Sequence, residues 1–149
     1  MKRYLGIIVI FLFLTDCTSD KNDYEQQANN PEFLHRTIKA ITDRIVHDIF
    51  SPPVASRIYA YTGVAAYEAA RHGDKNFVTL AGQLHGLDSF PKPDTKKQYN
   101  YSVASVQAAI RIGKTLVFSE DDLEAFYVNI MLEFEATGIP EEIFDNSVA

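Results

Sequence analysis

A single cysteine in 149 residues rules out an internal disulfide and any cysteine-based zinc site. Cations are scarce as well: fourteen Lys and Arg stand against twenty Asp and Glu, for a formal charge of −6. No basic run gathers them, and such a body repels a phosphate backbone, which argues against nucleic-acid partners. A bilayer-spanning helix needs about 20 consecutive apolar residues, and the leading apolar run is far shorter. Phosphate-cradling glycine loops are missing, as is the Gly-x-Ser-x-Gly turn of many serine hydrolases. Neither an internal repeat nor a low-complexity block is present.

What remains is the composition of one globular domain. Hydrophobic residues make up 46%, too many for a disordered chain. The N-terminus has an export pattern: Lys2 and Arg3 precede Tyr4–Leu14, an uncharged and mostly apolar stretch of signal-peptide length. Leu14-Thr15-Asp16-Cys17 then follows the outline of a bacterial lipobox, with Cys17 at the lipidated position. Asp16 departs from the small, uncharged residue usual before that cysteine. The expected organisation is a signal peptide over residues 1–16, a flexible polar tether over 17–30, and a folded body over 31–149. The expected location is the cell envelope, lipid-anchored or periplasmic.

From Pro31 the apolar spacing becomes helical. Leu34, Ile38, Ile41, Ile45 and Ile49 mark a helix that Ser51-Pro52-Pro53 stops near Phe50, because a residue before proline leaves the α region. Ser51 is positioned to cap a second helix, Pro52–His72, with both prolines in its first turn and Gly73 at its end. The middle of that helix, Ile58–Ala66, carries no charge, the pattern of a helix enclosed by neighbours. Residues Gly73–Pro93 form an irregular crossover. Asp94 or Thr95 then caps a third helix reaching about Phe118, on which Tyr99, Val103, Val106, Ile110, Gly113 and Val117 follow bundle spacing. Ser119-Glu120-Asp121-Asp122 resembles a capping box for a fourth helix ending at Gly138. A stub from Pro140 completes the expectation: an all-α bundle of about four long helices plus a C-terminal helix stub.

Candidate chemistry is sparse. Asp43 with His47, and Glu68 with His72, place carboxylate and imidazole at i, i+4 on their helices, a spacing that could hold a metal. Charged residues four apart also arise constantly as solvated pairs, and that is the favoured reading. His35, His47, His72 and His85 lie in no nucleophile motif. Asn100-Tyr101-Ser102 is formally a glycosylation triplet, read here as incidental.

The run His47-Asp48-Ile49-Phe50-Ser51-Pro52-Pro53-Val54-Ala55-Ser56-Arg57-Ile58-Tyr59-Ala60-Tyr61, with Ala65-Ala66-Tyr67-Glu68, resembles bacterial members of the vanadium-dependent haloperoxidase and type 2 phosphatidic acid phosphatase superfamily. Gly138-Ile139-Pro140-Glu141 and Asn146-Ser147-Val148-Ala149 are similar to the same proteins further on. The resemblance covers about Pro31–Ala149 and lies in the N-terminal scaffold region. It implies an all-α bundle housing a tetrahedral oxyanion, phosphate or vanadate, held by a lysine and two arginines beside a Pro-Ser-Gly-His stretch. This chain contains no Arg-Pro pair and no Pro-Ser-Gly-His. No catalytic, cofactor-binding or metal residue is therefore assigned, and vanadate is an expectation for the full-length family member only. The resemblance implies an N-terminal segment of an exported phosphoester hydrolase or halide-oxidising enzyme, incomplete relative to the family fold and inactive alone. Its partner would then be the remaining C-terminal half of that fold. The alternative is a non-catalytic helical envelope lipoprotein that binds a partner or ligand.

Overall fold

The computed structural model describes residues 21–149 and is all-helical, with no strand among them. In chain order the helices are α1 (Lys21–Ala28), α2 (Glu32–His47), α3 (Pro52–Ala70), α4 (Tyr101–Lys114), α5 (Glu120–Ala136) and α6 (Glu141–Val148), with a 3-10 turn at Arg71–Gly73. The expected signal peptide over residues 1–16 and the expected lipidation position, Cys17, lie outside the described residues. Part of the stretch read as a tether is helix: α1 carries Ala28 fully buried and Tyr24 packed against the core. The polar composition of 18–30 hid these two contacts, which suffice to seat two turns.

Helix α4 is the axis. Its Val103, Val106 and Ile110 meet Ala28, Ile130, Met131, Phe134, Ile139 and Phe144 on one side. Ala109 joins Ile41, Ile45, Ile58, Ala66, Val117 and Leu123 on the other. Phe134 anchors the first cluster with a ring stacked on Phe33 at 3.9 Å between centroids. Burial of a ring of this size stabilises by about 2–3 kcal/mol. The heptad-like spacing from Val103 to Val117 is thus core spacing.

Several boundaries differ from the sequence expectation, each for a local reason. Helix α4 starts at Tyr101 because Asn100 caps it, its Oδ1 accepting from the amides of Ser102 and Val103 at 3.0 Å each. Asp94 instead closes its own turn by accepting from the Lys96 amide at 2.9 Å. Lys96, Lys97 and Gln98 offer no apolar side to a helix there. Ser51 caps α3 only through its backbone carbonyl, which accepts from Val54 and Ala55; the two prolines leave no nearer amide for its hydroxyl. Gly73 closes a 3-10 turn without positive φ, whereas Gly138, at φ 82°, does end α5 in the left-handed region.

Helix α3 lies on the flank of the bundle, not at its centre. It buries Ile58, Thr62, Ala66 and Glu68, and Ser105 of α4 donates to the Ala66 carbonyl at 3.0 Å. Ala60 and Gly63 on its other side are exposed, with Val54, Tyr59 and Tyr61 at 40, 39 and 54%.

The α2–α3 corner holds two further features. Ile49 has φ 57°, a left-handed conformation in which a β-branched residue is strained, yet it is 88% exposed. The Phe50 amide donates to the Ile45 carbonyl at 3.1 Å and closes the helix end around it. Beside it, Asp48 reaches the α4–α5 corner, its Oδ2 accepting from the Phe118 and Ser119 amides at 2.7 and 3.1 Å. Asp48 thus takes the Ser119 amide that the acid at the third helical position would take in a capping box, and the Ser119 hydroxyl makes no cap bond. Burial pushes the Asp48 carboxyl up, but His47 at 3.0 Å and the two amides outweigh it and hold the carboxyl at about 2, below its usual 3.8.

Replacing Ile49 by glycine relieves the strained backbone and is expected to stabilise the chain by about 1 kcal/mol, read from denaturant midpoints; a destabilised variant would contradict the strain argument. Because the folded carboxyl of Asp48 titrates below its unfolded value, its contribution is present above pH 3.8 and is lost as the pH falls toward about 2. Melts of wild type and Asp48→Asn across that range should show a lower Tm for the variant at neutral pH and a gap that narrows in acid. Parallel acid limbs would show that Asp48 contributes nothing of the kind.

Candidate functional site

The i, i+4 pairs singled out in the sequence do not assemble into a site. Asp43 is engaged by Lys39 at 2.7 Å, and His47 turns to Asp48. Glu68 and His72 point to different partners: the His72 ring lies 6.2 Å from that of Tyr101, while the Glu68 carboxylate is taken by Arg71 and by the crossover. His35 and His85 are exposed, with His35 beside Glu32 at 3.6 Å. Among the described residues no group of three His, Cys, Asp or Glu side chains converges as a metal would require.

Glu68 is the most concentrated piece of electrostatics in the structure. Its side chain is 5% exposed at the end of α3, where Oε2 accepts from Arg71 Nε at 2.6 Å. Oε1 accepts from the Leu80 amide at 2.5 Å, and the Thr79 hydroxyl reaches both oxygens at 3.1 Å. Burial raises the carboxyl's affinity for a proton; the Arg71, Leu80 and Thr79 hydrogen bonds overcome this and hold it ionised below the usual range. His72 is likewise shifted below its ordinary value, lowered by burial and by Arg71 against the opposing pull of Glu68. Sequence reading favoured a solvated pair with His72 over a metal pair; the donors that bury Glu68 lie in the crossover, which carries no periodic signal.

A cleft of about 760 Å³ opens between α1, the start of α2, the 3-10 turn and residues 97–106. Tyr24, Phe33, Tyr99 and Tyr101 give it aromatic walls. Its polar groups satisfy one another: Asn29 Oδ1 accepts from Ser102 Oγ at 3.0 Å and from Asn100 Nδ2 at 3.3 Å, and Ser105 is committed to Ala66. Its walls carry no histidine, and the hydroxyl–carboxylate contact they do carry, Tyr24 to Glu25 at 3.4 Å, is exposed.

The residues present can be tested against a bound oxyanion, which needs converging cations. Among the described residues the cations that are not fully exposed are Arg36, Arg44, Arg71 and Lys114. Each already faces a carboxylate: Glu133, Asp122, Glu68 and Glu124 respectively. They are spread over separate helices and do not converge. Vanadate or phosphate does not fit this set of residues, and no chemistry is routed through either.

No family model and no curated protein matches the chain. Among solved structures it is similar to the crystal structure of the first bacterial vanadium-dependent iodoperoxidase, at 44% identity and a TM-score of 0.73. The match takes in 79% of this chain and 28% of that one, so the chain spans little more than a quarter of that structure. Identity at this level, over helices laid out alike, joins the resemblance of the Ser51-Pro52-Pro53 region to a solved protein. Over the stretch that matches, the chain thus resembles the vanadium-dependent haloperoxidase superfamily in both sequence and helical layout.

Proposed function

We propose that this chain is the N-terminal scaffold of an exported haloperoxidase- or phosphatase-like protein, and that alone it catalyses neither reaction. The observation that carries this reading is the 44% identity to a vanadium-dependent iodoperoxidase in a chain whose inner cations are all committed to carboxylates. Oxidation of a halide, or hydrolysis of a phosphoester, would belong to the assembled protein. This chain would contribute the α2–α5 framework against which the anion-holding elements pack. Those elements would cover the exposed side of α3, where Val54, Ala60, Tyr61 and Gly63 now face outward. Export and anchoring rest on the sequence: Tyr4–Leu14 as signal core and Cys17 as lipidated residue, locating the protein at the cell envelope. No described helix is long and apolar enough to cross a membrane.

A second reading, a self-standing helical envelope lipoprotein that binds a partner or ligand, is favoured by one observation. The chain has a core of its own, with Phe134, Ile130 and Leu123 at most 1% exposed.

The purified chain, assayed with vanadate, peroxide and iodide and separately with a phosphomonoester, is expected to turn over neither; activity of either kind would overturn the scaffold reading. It should also brighten a hydrophobic dye through the open face of α3, whereas a dye-silent, sharply cooperative melt would favour the second reading. Fatty-acid labelling of cells is expected to mark the wild type and not Cys17→Ser, and equal labelling would remove the anchor from the proposal.

A further inference from the structure

The crossover after α3 is held by hydrogen bonds more than by apolar burial. Phe77, Val78 and Leu84 are 54, 66 and 41% exposed, so the segment adheres weakly through its side chains. Its internal bonds close it on itself. The Gly82 amide donates to the Leu87 carbonyl at 2.7 Å, Gln83 N to Leu80 O at 3.0 Å, and Leu87 N to Leu84 O at 3.2 Å. Gly82 and Gly86, at φ 71° and 80°, make the turns. Two consecutive residues of α3 tie this unit down. Tyr67 donates its hydroxyl to the Val78 carbonyl at 2.8 Å, and Glu68 takes the Leu80 amide and the Thr79 hydroxyl. Thr79 Oγ1 in turn accepts from the Ala81 amide at 3.1 Å, carrying the attachment into the turn. Arg71 holds the carboxylate from the far side and fixes its direction.

We propose that Val78–Leu87 is a detachable strap and that Glu68, aimed by Arg71, is the latch that keeps it closed over the end of α3. The strap opens as one unit when the latch is lost, and the α4–α5 core stays folded. Glu68 acts here as a positioning residue. Its charge makes the latch strong: an ionised acceptor binds each donor about twice as well as a neutral one, and at 5% exposure water replaces these bonds poorly. The bundle does not depend on the strap, because both buried clusters are complete without any residue between 70 and 100. Local opening below the free energy of global unfolding follows from that separation.

Hydrogen exchange on the full chain tests this at the five amides that close the strap: Leu80, Ala81, Gly82, Gln83 and Leu87. Glu68→Gln keeps the shape and removes the charge. It is expected to speed exchange at these amides by about tenfold while Val106, Ala109 and Ile110 change less than about twofold. Thr79→Val, which leaves α3 intact and removes only the strap's hydroxyl, should reproduce the pattern at about threefold. This variant keeps the test open if Glu68→Gln fails to fold. Two results would overturn the latch: loss of protection in strap and core together, or strap amides that already exchange freely in the wild type. Uniform protection in both variants would overturn it equally.

Discussion

Two apolar clusters compete for one helix, and the arrangement of the rest follows from that sharing. Helix α4 gives Val103, Val106 and Ile110 to the side where Phe134 and Phe144 gather, and Ala109 to the side of Ile41 and Ile58. A helix with two such faces cannot rotate without uncovering one of them, so its neighbours are fixed in angle around it. Small residues make the sharing feasible. Ser105 bonds directly to the α3 backbone. A Cβ at Gly113 would meet Ile41 at 3.3 Å, which shows how closely α2 and α4 approach there. The packing rule is ordinary ridge-and-groove contact, with large side chains excluded at the crossings.

Against that axis, α3 is a one-sided element with an unusually plain sequence. An uncharged middle suggests a central helix if every face is assumed to be covered by the same chain. In this structure one face is covered and the other is open. The open side is the one that the scaffold role proposed above would cover.

Long periodic stretches were legible in the sequence, and single-residue chemistry was not. The core faces of α2, α4 and α5 followed from three- and four-residue spacing, and the Ser51-Pro52-Pro53 corner followed from proline sterics. Caps were misjudged wherever a better acceptor came from elsewhere. Asn100 displaced Asp94 because its oxygen reaches two amides, and Asp48, from across the fold, took the Ser119 amide that a capping box would give to an acid of α5 itself. Helix α1 was missed because two contacts, Tyr24 and Ala28, seat it without an amphipathic stripe. Glu68 read as one half of a solvated pair with His72; its burial and its partners Thr79 and Leu80 were not legible, since loop donors leave no pattern in a chain.

The Asp48 carboxylate also has a mechanical meaning. It ties the bend after α2 to the bend before α5, so two reversals some 70 positions apart in the chain behave as a single joint. A cut, an inserted loop or new termini placed at one bend would loosen the other, although no covalent path of comparable length joins them. Schemes that divide this chain into exchangeable pieces should therefore treat residues 48–51 and 118–119 as one hinge point, and place their seams in the crossover between residues 88 and 93.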